Sequence, residues 1–523
     1  METGQLQESS ASFVLRLVSR VSRFSALDAF LFLFILNLVL QPLVEPDFGW
    51  HLRAGLDFLQ SGGRLPATDP YSHTMPDWPW VEHAWLTDAV LAWLYTTAGP
   101  LAVIGCFAAV TAGAFLLASR TDAAGLTSRL LAVLACLWVA LPFLGARTQM
   151  ISLLGLAAVL WVAQREGHRP LLWGLPPLFL LWANLHGGFM AGLFVLALIC
   201  VASAALCLLG RRNPFSRAEA GPGPLGTEEP TWTSVGRLTL VTIVSALVTL
   251  INPYGWRLHA EIVSSLTDRE MIEILHEWQP VSLDQRAGVL FLAYVLGFGL
   301  LGALACRRVQ PVQWTTVLVF LLLSLRHWRN VPLFLLVSVP LAAEWLAASG
   351  ARLKELLRSR RPGVARAPKQ AQLAAAGLAV VLLGSLGAGH LQRVVFCGLD
   401  PPGFFRGTSY PIEAVQWIRE HRALLGERLY NDYGVGGFLL WWLPEEKIFI
   451  DGRMPAWRIG DRRILSDYVA LTAGDPPALG VLDKYRVDWA LVERRSRLDR
   501  RLEDHPGWGR LYVDTKVALY VRQ

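Results

Sequence analysis

Apolar stretches recur near residues 27–44, 84–98, 100–119, 129–145, 150–163, 170–184, 188–209, 236–251, 287–305, 312–325, 331–348 and 372–390. Their number predicts a polytopic α-helical membrane protein. Composition agrees, with 53% hydrophobic and 17% charged residues over 523 positions. The mean hydropathy is +0.39. Several runs fall short of the ~20 residues that cross hydrocarbon as a helix. Those runs extend into their flanks or sit inside the bundle.

Charge distribution orients the spans. Residues 1–26 carry Arg16, Arg20 and Arg23, and residues 351–371 carry Arg352, Lys354, Arg358, Arg360, Arg361, Arg366 and Lys369. Segment 45–83 has only Arg53 and Arg64 against Glu45, Asp47, Asp57, Asp69, Asp77 and Glu82. Short basic loops stay cytoplasmic. Working back from 351–371, the span 372–390 leads out, and Arg307-Arg308, Arg211-Arg212 and the run Arg165 to Arg169 fall inside. Loop 120–128 falls inside as well. The first span delivers residue 45 to the outside, so stretch 84–98 is not a simple crossing. It is expected along the outer surface as an amphipathic or re-entrant helix, with Asp88 and Trp85 near the headgroups.

The resulting layout has about 11 spans, with the amino terminus in and the carboxyl terminus out. Residues 1–26 form a cytoplasmic terminus. Residues 27–390 form the membrane domain, with a long outer first loop at 45–99. Residues 391–523 form a C-terminal extracytoplasmic α/β domain. The net charge of +7 is then topological, and nucleic acid is not an expected partner. The first span lacks a small-residue cleavage site before Glu45 and reads as a retained anchor. Cys106, Cys136, Cys200, Cys207, Cys306 and Cys397 form no CxxC pair and predict no disulfide framework or zinc site. The stretch 213–232 reads as a cytoplasmic loop. In the tail, apolar runs shorten and alternate with charge. YRVDWALVERR and GRLYVDTKVALYVRQ read as strands, and KIFI reads as a strand ending at Asp451-Gly452-Arg453. Glycines in DYGVGGF read as a turn, since no GK[ST] follows.

Polar residues cluster on the outer face. The first loop begins VEPDFGWH, placing Glu45, Asp47 and His51 at the end of the first span, and DWPWVEHAWL adds Glu82 and His83. Carboxylates at a membrane edge cost free energy and point to function. The bland alternative is an interfacial aromatic belt with acids facing water. Asp69 in DPYS suits a turn or cap. SLRHWRNVPLF supplies Arg326, His327, Arg329 and Asn330. Two guanidinium groups suit a phosphate or pyrophosphate, or else snorkel to headgroups. Arg147 has the same two readings. Asn184 and His186 in NLHGGFMAG line a site or terminate a helix. Tyr254 in INPYGW is a site residue or follows a helix stop.

The runs DFGWHLRAG, LPATDPYSHT, WVEHAWL, NLHGGF, NPYGW, RHWRN and YNDYGVGGFLLWWLP with IDGR resemble an uncharacterised bacterial group of GT-C-like proteins. The overall plan is similar to the GT-C class of integral membrane glycosyltransferases, which includes protein O-mannosyltransferases, aminoarabinose transferases and oligosaccharyltransferase catalytic subunits. The resemblance implies a GT-C-like fold and an active site at the outer face of the bacterial inner (cytoplasmic) membrane. It implies a polyprenyl-phosphate sugar lipid as donor and a glycan, lipid or protein acceptor. By that resemblance, Asp47 is the general base and Glu45 supports it. A second acid is expected just before the tryptophan of VEHAWL. Position 84 is Ala, and the acid is Glu82.

Two function classes follow. In an inverting glycosyltransferase, Asp47 deprotonates the acceptor and Arg326 and Arg329, with Arg147, neutralise the leaving phosphate. No cofactor is then required, although Glu45, Asp47 and Glu82 can hold a divalent cation such as Mg or Mn. The alternative is a non-catalytic membrane transporter or glycan-assembly scaffold on the same fold. Mid-span regions nearly free of charge and the lack of an internal repeat count against a transporter.

Overall fold

The computed structural model describes residues 25–121, 123–163, 169–209, 230–305, 311–360, 389–473 and 479–523. The amino-terminal arginines, Arg211-Arg212, Arg307-Arg308 and nearly all of the 372–390 stretch lie outside the described residues, as does most of the 213–232 loop. Among the described residues, five helices are long and apolar enough to cross a membrane: Trp85–Ser119, Leu126–Phe143, Phe189–Leu208, Arg286–Ala305 and Trp328–Leu356. Shorter apolar helices, Ala26–Val39, Gln149–Ala163, Leu175–Leu185, Trp232–Val248 and Pro311–Arg326, pack against them.

Polar groups fix the ends of the first helix. The Ser25 hydroxyl accepts from Asp28 N at 3.1 Å, and the Asp28 carboxylate accepts from Ser25 N at 3.2 Å. This is a capping box. Asp28 also takes Arg120 at 3.0 Å and Arg129 at 2.7 Å. Residue 28 and loop 120–128 therefore share one end of the bundle, and residue 45 lies at the other.

The stretch 84–98 behaves as a unit of its own. Gly99 has φ +78 and ψ 179 inside helix Trp85–Ser119, and Pro100 follows. Positive φ suits glycine, and proline lacks the N–H that would continue the hydrogen-bond ladder. The helix breaks there. Its first half lies against helix Phe48–Gln60, where Gly55 sits on the Asp88 carbonyl with no room for a Cβ.

After Val39 the backbone is irregular up to Asp47. Bare peptide groups are not tolerated in hydrocarbon. Here distant residues satisfy them. Leu43 N donates to Cys397 Sγ at 3.3 Å, and the Tyr410 hydroxyl donates to Val44 O at 3.0 Å. His390 Nε2 bonds Leu40 O.

The tail carries a four-stranded sheet and a small hairpin. In chain order the strands are β1 (Leu429–Asn431), β2 (Arg458–Ile459), β3 (Arg462–Arg463), β4 (Trp489–Glu493), β5 (Trp508–Val513) and β6 (Val517–Arg522). The main sheet runs β1-β4-β6-β5, with β1 parallel to β4 and the other pairs antiparallel. The expected strands at YRVDWALVERR and GRLYVDTKVALYVRQ are present. KIFI is not a strand. Its only bridge is Ser72–Ile448, because the Asn431 side chain takes the place of a neighbouring strand. Its amide donates to Ile450 O at 2.8 Å and accepts from Phe449 N at 2.8 Å.

DYGVGGF is more than a turn. Its glycines open helix Gly436–Trp442, which docks on the acidic motif. A Cβ at Gly437 would run into the Pro46 carbonyl, and one at Gly49 into the Gly437 carbonyl. Trp441 packs edge-on to Phe48 at 5.0 Å. Gly437→Ala is expected to destabilise the protein by about 1–3 kcal/mol through overpacking. Thermal unfolding in detergent measures this, and an unchanged Tm would reject close docking of the tail.

Candidate functional site

Asp47 stands where the irregular segment enters helix Phe48–Gln60. It occupies the N-cap position without capping. Its Oδ1 instead accepts from Trp50 Nε1 at 3.1 Å. The tail closes over it, since Gly452 touches the carboxylate and leaves no room for a side chain. Burial pushes the Asp47 carboxyl above its usual range, against the pull of the Trp50 N–H.

Glu45 forms an ion pair with Arg147. Glu277 adds charge to the same place, acting on Glu45, Asp47 and Tyr433. Glu277 pairs with Arg329 at 3.3 Å, and that guanidinium lies 4.1 Å from the Trp278 ring centroid. The result is an array of carboxylates and guanidinium groups around Asp47.

Burial raises the Glu45 pKa from 4.5 to about 7, opposed by Arg147 and reinforced by Asp47. The folded protein therefore keeps a proton that the unfolded chain has released. This group's stability contribution is full below the unfolded value and is lost as pH rises through about 7. Glu45→Gln does not titrate. Between about pH 5 and pH 8 its stability should shift in its favour relative to the parent by up to about 3 kcal/mol. Thermal unfolding at the two pH values tests this, and a pH-independent difference would reject it.

Arg453 ties the long first loop to the tail. It pairs with Asp69 at 2.7 Å and Asp451 at 2.8 Å, all three side chains being buried. Trp50, Tyr71, Trp80 and Trp457 surround it with centroids at 5.1–5.8 Å. Burial alone would lower its pKa, but Asp451 and Asp69 outweigh burial and raise it. Asp69 is the expected turn residue, accepting from Ser72 N at 2.9 Å, and it also serves this arginine.

A histidine layer lies one turn beyond Asp47. His51 stacks on Trp50 at 3.5 Å, and its Nδ1 lies 2.7 Å from Asp88 Oδ1. His83 stands edge-on to His186 at 5.4 Å. Burial drives the pKa values of His51 and His83 down to about 3, so both rings are neutral. Glu82 Oε1 accepts from Ala84 N at 3.0 Å. Burial holds its carboxyl well above the usual range, and Asp88 adds to the rise.

The hydrogen bonds around His186 set its tautomer. Trp182 Nε1 donates to Ser152 Oγ at 2.9 Å, and Ser152 Oγ lies 2.7 Å from His186 Nδ1. Gly188 N also donates to that Nδ1 at 3.0 Å. Nδ1 is therefore the acceptor, and the proton sits on Nε2. Tyr254 lies close enough to Glu82 and Trp80 for both to bear on its buried hydroxyl.

The other expected residues lie elsewhere. Arg326 is exposed at the end of helix Pro311–Arg326, and Arg329 is exposed three positions on, beyond that helix end. His327 Nδ1 bonds Trp278 O at 2.5 Å, and Asn330 Nδ2 donates to Leu323 O at 3.1 Å. Both brace backbone. Asp88 is not at a headgroup surface. It is 1% exposed and belongs to the site. Trp85 bonds Asn184 Oδ1 at 3.1 Å. Ser152 carried no sequence signal, being one hydroxyl in an apolar helix.

No family model matches the chain, and no curated protein matches it in sequence. Solved structures do match. Archaeal oligosaccharyltransferase AglB from Archaeoglobus fulgidus, in complex with an inhibitory peptide and a dolichol-phosphate, aligns with TM-score 0.53 and 11% identity over 95% of this chain and 74% of that one. The Archaeoglobus fulgidus oligosaccharyltransferase tethered with an acceptor peptide containing the NVT sequon aligns with TM-score 0.52 and 12% identity, over 97% and 75%. The fold is GT-C-like. That bears out the resemblance stated from the sequence. ArnT from Cupriavidus metallidurans, bound to undecaprenyl phosphate, overlaps with TM-score 0.48 and 15% identity over 96% and 98%.

Proposed function

We propose that this chain is a glycosyltransferase that moves a sugar from a polyprenyl-phosphate donor to an acceptor at the outer face of the cytoplasmic membrane. One observation carries the reading: Asp47, a buried carboxyl with a raised pKa, follows Glu45, which pairs with Arg147, and is acted on by Glu277, which pairs with Arg329, at the end of an apolar helix of a GT-C-like fold. A raised pKa makes a carboxylate a stronger base. The acceptor's nucleophilic atom attacks the anomeric carbon and gives its proton to Asp47. The bond from that carbon to the phosphate oxygen breaks, and polyprenyl phosphate leaves. A single displacement of this kind inverts the anomeric centre.

Arg147 and Arg329 neutralise the leaving phosphate. Preorganised charge of this sort is usually the largest catalytic contribution. His186, with its proton on Nε2, offers a neutral donor to the sugar. The membrane layout remains about eleven spans, amino terminus in and tail domain out, with Asp28 and Asp47 at opposite ends of the bundle. The neighbour AglB is solved with a dolichol-phosphate, and a related structure carries an acceptor peptide. Those ligands support a lipid-linked donor here. The test is release of polyprenyl phosphate from polyprenyl-phosphate-linked sugars by the purified protein in micelles. Protein that neither binds nor releases the lipid phosphate would reject the reading.

A further inference from the structure

We infer that His51, Glu82 and Asp88 form a binding site for one divalent transition-metal ion, of the zinc or manganese kind, separate from the Glu45–Asp47 pair. The inference goes beyond the transferase reading and does not need it, because bound metal is read whether or not sugar is transferred.

Three different segments bring the donors together. His51 comes from the first turns of helix Phe48–Gln60, Asp88 from the first turn of helix Trp85–Ser119 and Glu82 from the loop before it. Each offers one donor atom, and these atoms lie within 4.8 Å of one another. His51 and Glu82 are 5% exposed and Asp88 1%. Two carboxyl groups this deep need a cation or two protons. The guanidinium acting on Glu82 belongs to Arg453, and Asp69 and Asp451 already occupy it.

A second observation points to a ligand. Asp88 Oδ2 is buried and has no hydrogen-bond partner among the described residues. Protonating the carboxyls would leave that oxygen unsatisfied, whereas a metal ion would engage it. Glu82 and Asp88 also line a cavity of about 280 Å³. That volume holds the water ligands an ion needs to complete its shell. The chemistry selects the metal class. One imidazole nitrogen with two carboxylates suits zinc or manganese, while magnesium prefers an all-oxygen shell. His51 Nδ1 and Asp88 Oδ1, 2.7 Å apart, share a proton when no ion is bound, and the ion takes its place. The ion then joins the outer loop to helix Trp85–Ser119, one helical turn from Asp47, in a positioning role.

The full chain, purified in detergent and stripped with EDTA, is dialysed against micromolar Zn²⁺ or Mn²⁺ and its metal content measured by mass spectrometry. The expected result is one equivalent per chain. His51→Ala and Asp88→Asn should each lower affinity by at least the roughly 10–100-fold that losing a mere supporting partner of a ligand costs, while Asp47→Asn keeps the metal. Should either site variant fail to fold, the near-isosteric Glu82→Gln gives the same readout. X-ray absorption of the zinc-loaded parent should show an imidazole nitrogen in the shell. Failure to bind metal, an all-oxygen shell, or loss of metal in Asp47→Asn with retention in His51→Ala would overturn the inference.

Discussion

Asp47→Asn is expected to lower sugar transfer by about 10²–10⁴-fold, the range for loss of a general base. The amide has the same shape and can still accept from the Trp50 indole, which now bonds Oδ1 at 3.1 Å. It cannot take a proton from an acceptor. The fall should appear in kcat, with KM for the lipid donor nearly unchanged, because Arg147 and Arg329, the proposed phosphate partners, remain. Unfolding temperature should hold or rise, since burial disfavours this carboxylate. Transfer within a factor of two of the parent would remove Asp47 from the reaction and leave Glu45, with its pKa of about 7, as the base to examine.

Arg453→Met should be the most damaging single change to stability. The guanidinium is 4% exposed and its two carboxylate partners are fully buried. Removing one member of a buried ion cluster costs about 3–5 kcal/mol, because the remaining charges lose their partner. Asp451 and Asp69 would face each other unscreened, and the loop 69–74 would lose one of its ties to the tail. Adding Asp451→Asn should recover part of the loss. Arg453→Lys should fall between, since a lysine keeps the charge but not the fork that reaches both carboxylates. Thermal unfolding of the three variants and the parent in detergent decides it. Equal stability of Arg453→Met and parent would mean that the two acids are already protonated.

The bundle and the acidic motif were legible because their signals are local. Apolar runs mark the helices, and Glu45, Asp47, His51, Glu82 and His83 stand out as polar residues beside a membrane span. Asp88 was not legible. A lone acid in an apolar stretch reads as a surface residue, and only His51, 37 positions away, makes it interior. Arg326 and Arg329 show a second kind of limit. They are three positions apart, but a helix ends between them, and sequence does not say which way a chain turns at a helix end. KIFI shows a third. Its apolar pattern fits a strand, yet the Asn431 amide satisfies its backbone instead. Such substitutions depend on tertiary placement, which pattern alone does not encode.

The irregular segment after Val39 has a consequence for biogenesis. The first helix is 14 residues long, and at 1.5 Å per residue it covers only about 21 Å. The rest of the crossing relies on groups supplied by His390, Cys397 and Tyr410, between 350 and 366 positions downstream. This segment, made some 350 positions before its partners, is thus among the last to reach its final form. Until the tail arrives, Leu40, Leu43 and Val44 keep peptide groups that lipid cannot satisfy. A chain cut short before the tail would insert its helices and still lack a finished first crossing.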